Sequence, residues 1–149
     1  MLLTSNTSVT GALSIVKNNS KGLVVDSIYI PNLVVTAGKN LIANRLVNNS
    51  TPISHMAVGS GTTSPLVADT ALQTQLGARV ALTSSVVSTN TITYTATFAA
   101  GVSTGAITEA GLFNDATNTT TAMLSRTTFP VINKEAGDSI TITWVLTIA

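Results

Sequence analysis

From Ser139 to Ile148 the chain reads SITITWVLTI, and the alternation within this stretch decides the fold. Successive side chains of an extended strand point to opposite faces of a sheet. Ile140, Ile142, Trp144, Leu146 and Ile148 therefore share one face, and Thr141, Thr143 and Thr147 the other, with Val145 the single apolar interruption of the hydroxyl row. A helix would spread the same apolar residues around its whole circumference, so the period of two predicts a long antiparallel strand. One face is expected to pack on a core and the opposite face to meet solvent or a partner.

The pattern recurs upstream in NTITYTATF, where Ile92, Tyr94, Ala96 and Phe98 alternate with Thr91, Thr93, Thr95 and Thr97. A three-residue loop of Ser88, Thr89 and Asn90 would place Val86, Ser84, Leu82 and Val80 opposite Ile92, Tyr94, Ala96 and Phe98, with Asn90 in the left-handed conformation such loops need. A further hairpin is read from AITEAGLF and TAMLSRTTF, joined by the turn-forming string Asn114 to Thr120. Centring that loop pairs Phe113 with Ala122, Gly111 with Leu124 and Glu109 with Arg126. Opposite charges then face each other across the strands, and Glu109 is read as a structural ion-pair partner rather than a catalytic carboxylate.

Near the start, VTGALSIVK and LVVDSIYI flank a loop from Asn18 to Gly22 and form another expected hairpin. Residues 1–8 read as an N-terminal arm, and 9–149 as one β-sandwich domain. Residues 37–48 are the helical segment of that domain, with Thr36 as N-cap and Leu41, Ile42, Arg45 and Leu46 at helical spacing. SHMAVG is a short strand leading into a Gly-, Ser-, Thr- and Pro-rich loop from Ser60 to Asp69, and Thr70 to Leu76 could add one helical turn. The expected fold is all-β: an antiparallel, jelly-roll-like sandwich of about eight strands with one short helix.

Composition narrows the function classes. The 149 residues carry seven Lys or Arg against six Asp or Glu, a net charge of +1, and include 26 Thr, 15 Ser and 12 Asn. Charged residues are 9% of the chain, where an ordinary soluble domain has about 25%. So few cations, in no basic run, cannot neutralise many phosphates, which argues against nucleic acid as the main ligand. Cysteine is absent, leaving neither disulfides nor thiolate metal sites. The opening MLLTSNTSVTG has no basic start followed by a signal-length apolar run, and no stretch approaches the ~20 apolar residues of a membrane helix. A soluble, unexported chain is the expectation.

Catalytic chemistry has few candidates. His55 is the sole imidazole and falls in a strand, where a hydrogen-bonded histidine is commoner than a general base. Asp69, Asp115 and Asp138 lie in separate turns without calcium-loop spacing, and GSGTTSP lacks the Gly-Lys-Ser/Thr ending of a nucleotide-binding loop. No cofactor or metal is expected. A glycan site would want an exposed ring, yet Trp144, Tyr94 and Phe98 fall on apolar faces, which leaves Tyr29. Threonine rows are uncharged and able to hydrogen-bond, so they can be desolvated without stranding a charge. That makes them suitable contact surfaces.

The succession PNLVVTAGKNLIANRL, SHMAVGSGTTSPLVADTALQTQLGARVAL, NTITYTATF, GAITEAGLFN and MLSRTTFPVINKEAGDSITITWVLTI resembles a family of small virion structural proteins of tailed bacteriophages, from about Pro31 to the C-terminus. The resemblance implies a non-enzymatic particle component made in the host cytoplasm, with a capsid cement (decoration) protein on the outer shell as the first expectation. Its partners would be the major capsid protein and its own copies, as a homotrimer, with neither nucleic acid nor membrane. Thr4, Asn6, Thr7 and Val9 are the expected shell-gripping residues, and Lys17, Lys21 and Lys39 the cations for acidic patches. A tail or tail-fibre module that binds a host receptor or glycan through loops 60–69 and 114–120 is the alternative. A sugar-binding lectin domain is a third option.

Overall fold

A computed structural model describes residues 3–117 and 123–149. About half of the chain is strand, arranged as two antiparallel sheets of five strands each. In chain order the elements are β1 (Val9–Asn18), β2 (Val24–Pro31), β3 (Leu33–Val34), α1 (Thr36–Asn48), β4 (His55–Gly59), β5 (Val80–Ala81), β6 (Ser84–Ser88), β7 (Thr91–Phe98), β8 (Gly105–Phe113), β9 (Met123–Lys134) and β10 (Ser139–Ile148). One sheet runs β2-β1-β10-β7-β6 and the other β3-β9-β8-β4-β5.

The final strand is where the alternation puts it, at the centre of the first sheet. Ile140, Ile142, Trp144 and Leu146 are buried, as are Leu13 and Ile15 from β1 and Tyr94, Ala96 and Phe98 from β7. Met56, Val58, Ile107, Ala110, Leu112 and Ile132 meet them from the second sheet, so one continuous apolar core lies between the two layers. Burying a side chain of this size is worth roughly 1.5–3 kcal/mol. The Trp144 indole donates to Asn32 Oδ1 at 3.0 Å, which satisfies its one polar atom inside the core.

Four local expectations are corrected. The β6–β7 turn has two residues, Thr89 and Asn90, so Val86 lies opposite Thr93 and Val87 opposite Ile92, one step from the expected register. Val80–Ala81 is not part of that strand: it pairs with β4 in the other sheet, and the chain crosses between layers at Leu82–Thr83. Helix α1 begins at Thr36 rather than after it; Val35 occupies the N-cap without a side-chain bond, and the entry is fixed by Val35 N–H donating to the Leu124 carbonyl at 3.2 Å. Residues 70–76 form no helical turn, because Gln73 and Thr74 spend their amides on Glu109 and Gln75 bridges Gly59.

In the β8–β9 pair Gly111 lies opposite Arg126 and Glu109 opposite Thr128, with register shifts after Ile107 and Leu112. Glu109 and Arg126 are thus diagonal rather than directly paired. Phe113 pairs with Met123 rather than with the expected Ala122, and the Asn118–Thr120 end of the loop lies outside the described residues.

Candidate association surface

The two sheets differ in what covers their outer sides. Over the second sheet lies the segment between β4 and β5, pinned by a buried charge cluster. Glu109 and Arg126 are both 0% exposed and pair at 2.8 Å. The Glu109 carboxylate also accepts the backbone N–H groups of Gly61 (3.1 Å), Gln73 (3.1 Å) and Thr74 (2.8 Å). Arg126 donates onward to Asp69 at 2.9 Å and to the Thr63 carbonyl at 3.1 Å. The glycine-rich GSG loop therefore does cradle an anion, but the anion is the chain's own carboxylate. A Cβ at Gly59 or Gly61 would fall on Glu109 Oε1, so glycine is required there for the backbone to come this close.

Among the described residues, none covers the first sheet in this way. Its register aligns Tyr29, Ser14, Thr143, Thr95 and Ser84 in one row across all five strands, and Pro31, Ala12, Val145, Thr93 and Val86 in the next. Further rows hold Ser27, Val16, Thr141 and Thr97, and Thr10, Thr147, Thr91 and Ser88. None of these side chains is buried and none is charged. Thr97 and Thr141 hydrogen-bond to each other across the strands at 3.1 Å. The five strands hold between 5 and 10 residues each, and at about 4.8 Å between strands and about 3.3 Å per residue they give a face of roughly 650 Å². That is close to the ~800 Å² one partner contributes to a standard interface.

The residues singled out in the sequence fall at scattered places. Thr4, Asn6 and Thr7 are exposed in a segment without regular structure, whose last residue, Ser8, exchanges backbone hydrogen bonds with Ala149 at 2.6 and 2.9 Å. Val9 opens β1 and is half-buried against Ile148. Lys17 is already engaged, donating to the Asn133 carbonyl at 2.7 Å and pairing with Asp138 at 3.3 Å. Lys21 and Lys39 are exposed, in the β1–β2 loop and on α1. The structure does not bring these cations together. Tyr29 is 77% exposed on β2, whereas Trp144, Tyr94 and Phe98 are buried.

Sequence reasoning missed the groove between α1 and the end of the first sheet, about 350 Å³ in volume, lined by Ile42 and Leu46 from the helix and by Val87, Tyr94, Leu146 and Ile148 from strands. Helical spacing hinted at an apolar face on α1. Yet Leu46 is 85% exposed, and no local signal tells that this face ends at an open rim. The Tyr94 hydroxyl titrates above its ordinary range because burial disfavours the phenolate, an effect Arg45 partly offsets. His55 accepts or donates one hydrogen bond with Ser54 at 2.8 Å. Among the described residues no cluster of His, Asp and Glu could hold a metal ion, and no helix is long and apolar enough to cross a membrane. Compared with protein-family models, curated proteins and solved structures, the chain matches none.

Proposed function

We propose that this chain is a non-enzymatic structural protein of a tailed-bacteriophage virion: a capsid cement protein that sits on the outer shell, bridges neighbouring copies of the major capsid protein and associates with its own copies as a trimer. The observation that carries the reading is the uncharged hydroxyl and alkyl face of the β2-β1-β10-β7-β6 sheet. A monomer that spends its life in water normally studs such a face with Lys and Glu. Here the chain leaves it neutral, so covering it strands no charge, and its hydroxyls can hydrogen-bond to whatever covers them. The motif resemblance to small virion proteins supplies the particle, and replication of a modest contact around a shell supplies the strength.

A tail or tail-fibre module that binds a host receptor or glycan is the second reading. It draws on the exposed Leu66 and Val67 in the loop following β4 and on the Tyr29 ring. Copy number separates the two. On a stained gel of purified virions, a cement protein is expected near equimolar amounts with the major capsid protein, and a tail module at a small fraction of it. Absence of the chain from the particles would reject both.

A further inference from the structure

Each sheet has two edge strands, and three of the four carry a device that blunts pairing with another chain. Strands β3 and β5 are two residues long. Strand β2 is longer, but it carries Asp26, ends at Pro31 and has a register irregularity against β1 near Asn18. Short length, an inward charge, proline and a bulge are the devices by which natural sheets blunt their edges. Strand β6, reading SSVVS, has none of them. All five of its residues are exposed, Val86 at 57% and Val87 at 71%.

The two-residue turn fixes which backbone groups of β6 are free. Ser88 and Thr91 close the hairpin, so in the alternating ladder Ser88, Val86 and Ser84 bond to β7, and the N–H and C=O of Ser85 and Val87 turn away from the sheet. We propose that β6 is a two-fold docking edge for the β6 strand of a second copy, paired antiparallel about Val86. In that register Ser85 lies opposite the second copy's Val87 and exchanges both backbone hydrogen bonds with it, on both sides of the axis. Val86 meets its own symmetry mate in the close, non-hydrogen-bonded position. A strand whose free groups satisfy themselves under a two-fold needs no second surface, which is the requirement for an isologous contact.

The apolar surroundings favour the same occupant. Ser85 and Val87 line one wall of the groove under α1, with Leu46 on another, and an added strand would extend that wall. A strand edge about 17 Å long and one sheet thickness deep buries only about 170 Å² per partner, well below a standard interface. The pairing is therefore weak in dilute solution and gains strength where copies are crowded. It is also distinct from the threefold contact proposed above, which a self-pairing edge cannot make, and does not depend on the virion reading. On a shell it would join one trimer to the next.

The chain has no cysteine, so a single introduced thiol reports geometry cleanly. Close antiparallel partners stand about 4.5 Å apart at Cα, within disulfide range, whereas two Val87 positions in this register are roughly 8 Å apart and beyond it. Val86→Cys is expected to oxidise to a dimer of doubled mass on non-reducing gels roughly ten times faster than Val87→Cys at equal concentration. Equal rates at the two positions, or no dimer from Val86→Cys, would overturn the proposal. So would cross-linking that appears only once residues 1–8 are removed, since the arm would then be the occupant of the edge.

Discussion

At the scale of single residues, the Glu109–Arg126 pair does the most. Three backbone amides and a guanidinium converge on one carboxylate with no exposure to water. Burying these ions is costly, and only the full set of partners offsets it. Glu109→Ala leaves Arg126 buried with Asp69 as its one carboxylate and frees the 60–76 loop, so a loss of about 3–5 kcal/mol is expected in urea denaturation. Replacing both residues with apolar side chains should cost less than the single change, because no charge is then left at a fully buried position; Asp69, which loses its cation, is 21% exposed and still accepts the Leu66 backbone N–H at 2.9 Å. Asp138 acts at the other end of the core. The Glu135 backbone N–H bonds its carboxylate at 3.0 Å, and with Lys17 this holds its titration below the ordinary carboxylate range, against the opposing effect of burial. A carboxyl whose folded value is lowered contributes stability above its unfolded value, about pH 4, and loses it as pH falls through the folded one. Asp138→Asn is therefore expected to flatten the acid limb of a stability–pH curve below about pH 4 while leaving its slope near neutrality unchanged.

At the scale of elements, the β6–β7 turn shows what the sequence displays and what it hides. The alternation in β7 and β10 was legible because burial of one face imposes it residue by residue, and the helix was legible to within one residue of its start. The register of β6 was not, since two- and three-residue loops both fit the hydrophobic pattern and the choice shifts every pair by one. Nor does local sequence say that Val80–Ala81 belongs to the other sheet, or that the β8–β9 register shifts to place Glu109 and Arg126 on a diagonal; both follow from contacts distant in the chain. The turn itself is strained: Thr89, a β-branched residue, adopts φ +53°. Thr89→Asn should relieve part of that cost and raise stability by about 0.5–1 kcal/mol, a shift of a few degrees in Tm by calorimetry. Helix α1 is seated by a different device. A Cβ on Gly38 would fall on the Leu124 backbone, so Gly38→Ala must push the helix off β9 and is expected to cost about 1–3 kcal/mol despite the better helix propensity of alanine.

At the scale of the whole molecule, the few charges lie away from the outer face of the first sheet. Glu109, Arg126, Lys134 and Asp138 are buried or nearly so, and Lys17 is tied to Asp138. The outer face of the first sheet holds no ionised side chain, so contacts made through it have no Coulombic term for salt to screen. Raising ionic strength from ~0.01 to ~1 M shortens the Debye length from ~30 to ~3 Å and dissolves contacts held by surface ion pairs. Occupancy of the chain on particles should survive that change if the neutral face is the contact, and should fall steeply if Lys21 and Lys39 on acidic patches are what hold it. The complementary test places charge where none exists. Thr95 and Thr143 are neighbours in the central row and only half-buried, so Thr95→Lys with Thr143→Lys should alter folding by no more than about 1 kcal/mol. Two adjacent like charges pressed into an uncharged contact would each need desolvation without a partner, and the double variant is expected to fold normally and be lost from particles in sedimentation. A double variant that stays bound would mean that this face looks outward to solvent and that the shell is gripped elsewhere.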